Sequence, residues 1–250
     1  MNRNKIIEQY ISNIKFGNFA IYQMLDKYAD PIDKREIHTE ATWHSICRRV
    51  GYSVVSPYFP QLADQIITNM GRRRICPGGR YLYAAGRRLE NGNVHKIQQI
   101  NNCILNRVKA DSREAWAESV HHTTLSLMTG AGVGIDYSLV RPKGVFLKGI
   151  GGISSGVLAL INMNNEVGRH VRMGGSRRAA LWAGLNWLHG DALDFIHAKQ
   201  WSNEIKELKA RDFNFPAPLD GTNISIGLDD LFFQAYHDSS HEHHEHAQKI

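Results

Sequence analysis

Residues 128–144 read MTGAGVGIDYSLVRPKG, and residues 172–187 read RMGGSRRAALWAGLNW. A glycine-rich connector joins them, and twelve of the chain's 22 glycines lie from Gly130 to Gly184. Glycine loses more backbone entropy on folding than any other residue, so this density is costly in ordered structure. It is tolerated where the backbone turns with positive φ or approaches a ligand closely. Arg141, Lys143, Lys148, Arg172, Arg177 and Arg178 are interleaved with these glycines. Close-approach backbone beside guanidinium and ammonium groups suits phosphate recognition. The plainer alternative is a pair of glycine-rich surface loops with solvated charge.

Outward from this stretch, the texture changes twice. Residues 1–75 read as helical: IIEQYISNI, FAIYQMLDKYA and YFPQLADQIITNM space their apolar residues by three and four, with breaks at Pro31 and Pro57. After RRRICPGGR, short apolar or β-prone runs take over: RYLYAAG, NNCILNRV, AALWAGLNW and TNISIGL. Helical stretches separate them. Asp111-Ser112 can cap a helix running through Trp116, Val120, Thr124 and Met128. Residues 155–170 and 190–201 read as further helices, the second with acidic residues in its first turn. The alternation predicts an α/β domain over 76–236, after a helical region over 1–75. The last segment, 237–250, is HDSSHEHHEHAQKI and holds five of the 13 histidines. Such a tract could bind metal weakly, but its ligands are nearly consecutive and fix no geometry, so the expectation is an exposed linker or helix start, a tail or truncated linker.

Composition narrows the function classes. The 250 residues are 42% hydrophobic and 22% charged, the balance of an ordinary globular protein. No run approaches the roughly 18 apolar residues of a membrane span. The amino terminus lacks the apolar core of a signal peptide, so a cytoplasmic location is the default expectation. A formal charge of +6 and a pI near 9.2 suit an anionic partner. The arginines cluster beside glycines instead of forming a long stripe. That favours a nucleotide pocket over direct nucleic-acid binding, which is kept as a weaker alternative.

The common nucleotide motifs do not fit. Gly130 to Gly134 is GAGVG, not GxGxxG, and no Lys-Ser/Thr of a P-loop follows. Gly174 to Arg178, GGSRR, frees the backbone with two glycines and offers two forked, stackable guanidinium groups. Cys47, Cys76 and Cys103 have neither CxxC spacing nor an even count, so no disulfide framework or zinc site follows. Cys47 reads as a small buried hydrophobe. The chemical interest of Cys103 depends on whether a second thiol meets it.

The order of motifs resembles one family. PGGR, NNC, DSREAW, GAGVGID, SLVRPKG, ISSG, MGGSRRAAL, HGDALDFIHAKQW and TNISIGLDDLFF follow one another from about residue 75 to 235. Together they resemble the large, catalytic subunit of ribonucleotide reductase, with the wording around GVGIDYSLVRPKG and SRRAAL most like the adenosylcobalamin-dependent class and its phage relatives. The resemblance implies a helical region followed by the first half of a ten-stranded α/β barrel. It implies that Cys103 is the first of two redox cysteines that deliver electrons to the ribose. Gly78, Asn102, Cys103, Gly132 and Arg177 would meet the substrate. Asp111, Ser112, Arg113, Arg141 and Lys148 would hold a deoxynucleoside triphosphate specificity effector. Gly174, Gly175, Ser176 and Arg177 would form the loop that carries information from effector base to substrate base.

The departures are as informative. The family's radical cysteine lies in an Asn-x-Cys-x-Glu motif, and no such motif occurs here. The second redox cysteine is missing too. The resemblance therefore implies the amino-terminal half of a reductase, from a split gene or an interrupted reading frame, which alone is inactive. It implies a C-terminal partner half, a ribonucleotide substrate, a thioredoxin-type reductant and a homodimer. Adenosylcobalamin is the expected radical source, bound mainly by the missing half, with a di-iron or manganese subunit as the alternative. A non-catalytic nucleotide-binding module derived from a reductase is the competing reading.

Overall fold

The structure, a computed structural model, describes residues 18–29, 39–87, 99–149, 151–171 and 179–250. The IIEQYISNI segment, Pro31 and residues 172–178 lie outside them. Two compact units divide the chain, Met1–Asn102 and Cys103–Ile250.

The first unit is helical where it is described. Helix α1 (Asn18–Gln23) runs into a π-helical turn (Met24–Tyr28) and is followed by α2 (Thr39–Val54), α3 (Pro60–Gly71) and α4 (Gly79–Ala84). Ile46, Cys47 and Val50 of α2 share a core with Ile67 and Met70 of α3, and Met24, Leu82 and Ala85 complete it. The three- and four-residue spacing expected of FAIYQMLDKYA and YFPQLADQIITNM is this buried stripe. Pro60 opens α3, where a missing N–H costs nothing.

RYLYAAG is a correction: it is helix α4, not a strand. The run has no β-branched residue and carries Ala84 and Ala85 before its final glycine, and alanine favours helix. Its Arg80 and Tyr83, three apart, stack at 5.0 Å. Short apolar runs of this kind carry no period that separates helix from strand.

The second unit alternates strands and helices: β1 (Cys103–Arg107), α5 (Arg113–Met128), β2 (Gly132–Asp136), α6 (Val157–His170), β3 (Leu181–Asn186), α7 (Ala192–His197), α8 (Asn203–Arg211), β4 (Thr222–Gly227), α9 (Asp230–His237) and α10 (His244–Lys249). The strands pair in parallel, in the order β1-β2-β3-β4. Parallel neighbours need long crossovers, and helices supply them. The order follows the chain without reversal, so no topological switch point arises among the described residues. The expected mixed α/β architecture with parallel strands is what the structure has. NNCILNRV, AALWAGLNW and TNISIGL are β1, β3 and β4, and GAGVGID is itself the inner strand β2.

Among the described residues of the second unit, one face of the sheet carries a core. Val133, Ile135, Leu181, Ala183 and Leu185 pack there against Leu127 of α5, Leu160 and Ile161 of α6, and Phe195 of α7. The register places Cys103, Leu105 and Arg107 in line with Gly132, Gly134 and Asp136, and Gly134 with Trp182. This second face is bare: Leu105 is 74% exposed and Trp182 36%. Trp182 lies across Gly134 and Gly184, where any side chain would crowd its ring, and donates to Ser225 Oγ at 2.9 Å.

Helix α5 is capped as expected, Ser112 Oγ accepting from Ala115 N at 3.1 Å. Helix α7 is shorter than the 190–201 expected, ending at His197 before Ser202 caps α8. The histidine-rich end holds the helix that one expectation allowed, and it is docked instead of forming an exposed tail. Helix α10 docks on Trp187, with His246 stacked on the indole at 5.8 Å and donating to its carbonyl at 2.7 Å, and with Ala247 buried. Trp187 supplies an apolar face that the histidine rings cover, which composition alone does not reveal. No helix among the described residues is long and apolar enough to cross a membrane.

Trp187→Ala should remove this anchor. The expected loss is about 3–5 kcal/mol in urea unfolding, with protease cleavage appearing first within residues 238–250.

Candidate active site and nucleotide site

Cys103 begins β1 and is an exposed, free cysteine. Gly132 begins β2 directly opposite it in register. A Cβ on Gly132 would stand 3.3 Å from Cys103 Sγ and 3.3 Å from the Ala180 carbonyl. The glycine therefore keeps space open beside the sulfur on the bare face. The other thiols belong to the first unit. Cys47 is fully buried, and burial pushes its thiol up to about 11, which removes it from nucleophilic chemistry. Cys76 is exposed in the irregular stretch before α4.

Further along the bare face is a cavity of about 490 Å³, lined among others by Leu105, Arg107, Asp136, Ser138, Trp182 and Ser225. Asp136 Oδ1 accepts from Ser138 N at 3.0 Å and from Ser138 Oγ at 2.6 Å, which turns the chain at the end of β2. Among the described residues no group of three His, Cys, Asp or Glu side chains gathers as a metal site.

A second constellation lies at the start of α5. Arg141 Nε donates to Asp111 Oδ2 at 2.5 Å, and an Nη of Arg141 reaches the Asp111 carbonyl at 3.3 Å. This half-buried pair fixes a guanidinium beside the helix N-terminus, where the backbone dipole is positive. Arg113 is exposed in the first turn, 3.6 Å from Glu114. Ser112 spends its hydroxyl on the cap. Arg141 opens a hairpin-like loop closed by Gly144 N to Ser154 O at 2.9 Å and by an antiparallel bridge between Phe146 and Ile153. Lys148 is exposed near the tip of this loop, which turns through positive φ at Gly151 and Gly152.

The structure thus brings Asp111 and Arg141 together, with Ser112 and Arg113 on the same turn. In the first unit Gly78 and Asn102 meet: a Cβ on Gly78 would be 2.9 Å from Asn102 Nδ2, while Asn102 Oδ1 accepts from Arg80 N at 3.1 Å. Gly174, Gly175, Ser176 and Arg177 fall outside the described residues. Sequence reasoning missed Asp191 and His189. A Gly-Asp pair before an apolar run signals only a helix start, whereas the partners of Asp191 are 34 and 48 residues away.

The ribonucleotide reductase barrel domain family matches residues 101–246. The chain is 30% identical over 138 residues to the vitamin B12-dependent ribonucleoside-diphosphate reductase of Thermoplasma acidophilum, covering 55% of this chain and 16% of that protein. It is 31% identical over 120 residues to ribonucleoside-diphosphate reductase large chain 2 of Saccharomyces cerevisiae, covering 48% and 14%. Against the ribonucleoside-diphosphate reductase subunit alpha of Chlamydia muridarum it is 24% identical over 223 residues, covering 89% and 19%. The matched segments span less than a fifth of each of these relatives.

Gly132→Val should crowd the sulfur of Cys103. Its modification by a disulfide reagent should slow several-fold, with Cys76 as the internal control whose rate stays unchanged.

Proposed function

The chain belongs to the ribonucleotide reductase family through its barrel domain, and on that premise we propose that it supplies one part of a reductase large subunit. In this reading Cys103 is one of two reducing thiols, and the dNTP effector binds at Asp111, Ser112, Arg113, Arg141 and Lys148. Gly78, Asn102 and Gly132 are assigned substrate contacts on the resemblance, and Gly174, Gly175, Ser176 and Arg177 the loop between effector and substrate bases. The observation that carries the reading is the exposed thiol of Cys103 on the bare face of a parallel sheet, with glycine opposite it.

The chemistry needs more than these residues. A thiyl radical on a partner cysteine takes the 3′-hydrogen of the ribose and returns it at the end. The 2′-hydroxyl leaves as water, and hydrogen takes its place. The two electrons come from two thiols: Cys103 and a second cysteine lose their hydrogens and join as a disulfide. A thioredoxin-type reductant then restores both thiols. The remaining barrel strands, the radical cysteine and the second redox cysteine are assigned to a C-terminal part, and the assembly to a homodimer in the cytoplasm. On the resemblance, the radical source, adenosylcobalamin or a di-iron or manganese subunit, is assigned to the C-terminal part or to a separate subunit. The substrate is a ribonucleoside di- or triphosphate.

Two variants test the assignments. Arg141→Glu should weaken dNTP binding by more than about 1–2 kcal/mol in calorimetry, as loss of a charge-assisted phosphate contact does. Equal affinity in both proteins would reject the site. In an assembly with the C-terminal part, Cys103→Ser should abolish multiple-turnover reduction while leaving nucleotide binding nearly intact. Turnover that survives, normalised to folded protein, would reject the redox role, and Cys47→Ser is the silent control. Nucleotide binding without turnover in the wild-type assembly would favour the regulatory-module reading.

A further inference from the structure

Three stretches of the second unit converge on one buried carboxylate. Asp191 is 6% exposed and sits in the turn that follows β3. Its Oδ1 accepts from Lys143 N at 2.9 Å, at the entry of the 141–156 loop. Its Oδ2 accepts from Val157 N at 2.9 Å, where that loop ends and α6 begins. One carboxylate therefore holds both feet of the loop. The position suits a negative charge, because Val157 is the first residue of a 14-residue helix.

His189 orients the carboxylate. Its Nδ1 accepts from Asp191 N at 3.0 Å, which leaves Nε2 to carry the proton and donate to the Val140 carbonyl at 2.6 Å. The imidazole so links the turn after β3 to the residue just before Arg141. Two glycines make the convergence possible. A Cβ on Gly156, whose φ is +78°, would stand 2.5 Å from Asp191 Oδ2 and 2.7 Å from Lys143 Cβ. A Cβ on Gly190 would press on Pro142 at 2.9 Å. Neither Asp191 nor His189 is needed to cap its own helix, since α7 has no side-chain cap.

We propose that Asp191, oriented by His189, is the positioning residue of the 141–156 loop. It clamps both feet of the segment that carries Arg141 and Lys148 and ties them to the end of β3. The inference rests on the effector reading given above and adds the element that holds the effector loop in register with the sheet. Without the clamp, Arg141 must pay the ordering entropy of its own loop before it can meet a phosphate.

The test uses the full chain and dATP, dGTP, dTTP and dCTP as probes. In Asp191→Asn one of the two backbone donors faces an amide NH2 instead of an oxygen. Amide exchange over residues 143–157 should speed up by about tenfold or more, while exchange in β2 and β3 stays at the wild-type rate. Affinity for the nucleotide that wild type binds best should fall by about tenfold. His189→Ala, which keeps the carboxylate, should move both readouts in the same direction, and His189→Gln should restore part of each. This second pair carries the test if Asp191→Asn does not fold. Unchanged loop exchange in the variants would overturn the clamp. Faster exchange with unchanged affinity would overturn its role in positioning. If wild type binds none of the four nucleotides, the effector reading itself fails, and the positioning role falls with it. That failure shows in the wild-type protein, whereas failure of the clamp shows only in the variants.

Discussion

The one-sided burial of the parallel sheet is the constraint on which the second unit depends. Helices α5, α6 and α7 return to the same face, so Val133, Ile135, Leu181, Ala183 and Leu185 are sealed by them. Among the described residues of the second unit, the opposite face has no such cover. It carries the groups that a covered sheet would not keep: glycines at 132, 134 and 184, the exposed thiol of Cys103, and Trp182 lying flat over the strands. Parallel sheets are ordinarily covered on both faces.

Glycine does two different jobs along the stretch where it is concentrated. Within β2 and β3 it thins the sheet so that an indole and a sulfur can lie against backbone. In the 141–156 loop it permits positive φ at Gly144, Gly151, Gly152 and Gly156. The second use builds the loop, and the pairing of Arg141 with Asp111 joins its first residue to the start of α5. The exposed thiol of Cys103 and the basic loop thus belong to one unit, linked through the strands that lie between them.

Much of this was legible in the sequence. NNCILNRV, AALWAGLNW and TNISIGL show as strands because each is short, apolar and bounded by polar turns, and the Asp111-Ser112 start of α5 shows because a side-chain cap acts within three residues. RYLYAAG misleads because a run that short has no period, and the helical core of the first unit decides its state. The docking of the histidine-rich helix depends on Trp187, 59 residues from His246. The grip of Asp191 on Lys143 and Val157 likewise joins positions far apart in the chain. Local rules capture caps, periods and turns. They do not register one side chain that closes a long loop, because the partners are backbone groups with no signature of their own.

The central claim is that Cys103 is spent as a reductant. The most direct measurement is a single turnover of the assembly with a C-terminal reductase part, run without external reductant and followed by mass spectrometry of the thiols. The account predicts one disulfide between Cys103 and a cysteine of the C-terminal part for each deoxyribonucleotide formed. Product formed while Cys103 remains a free thiol would contradict it.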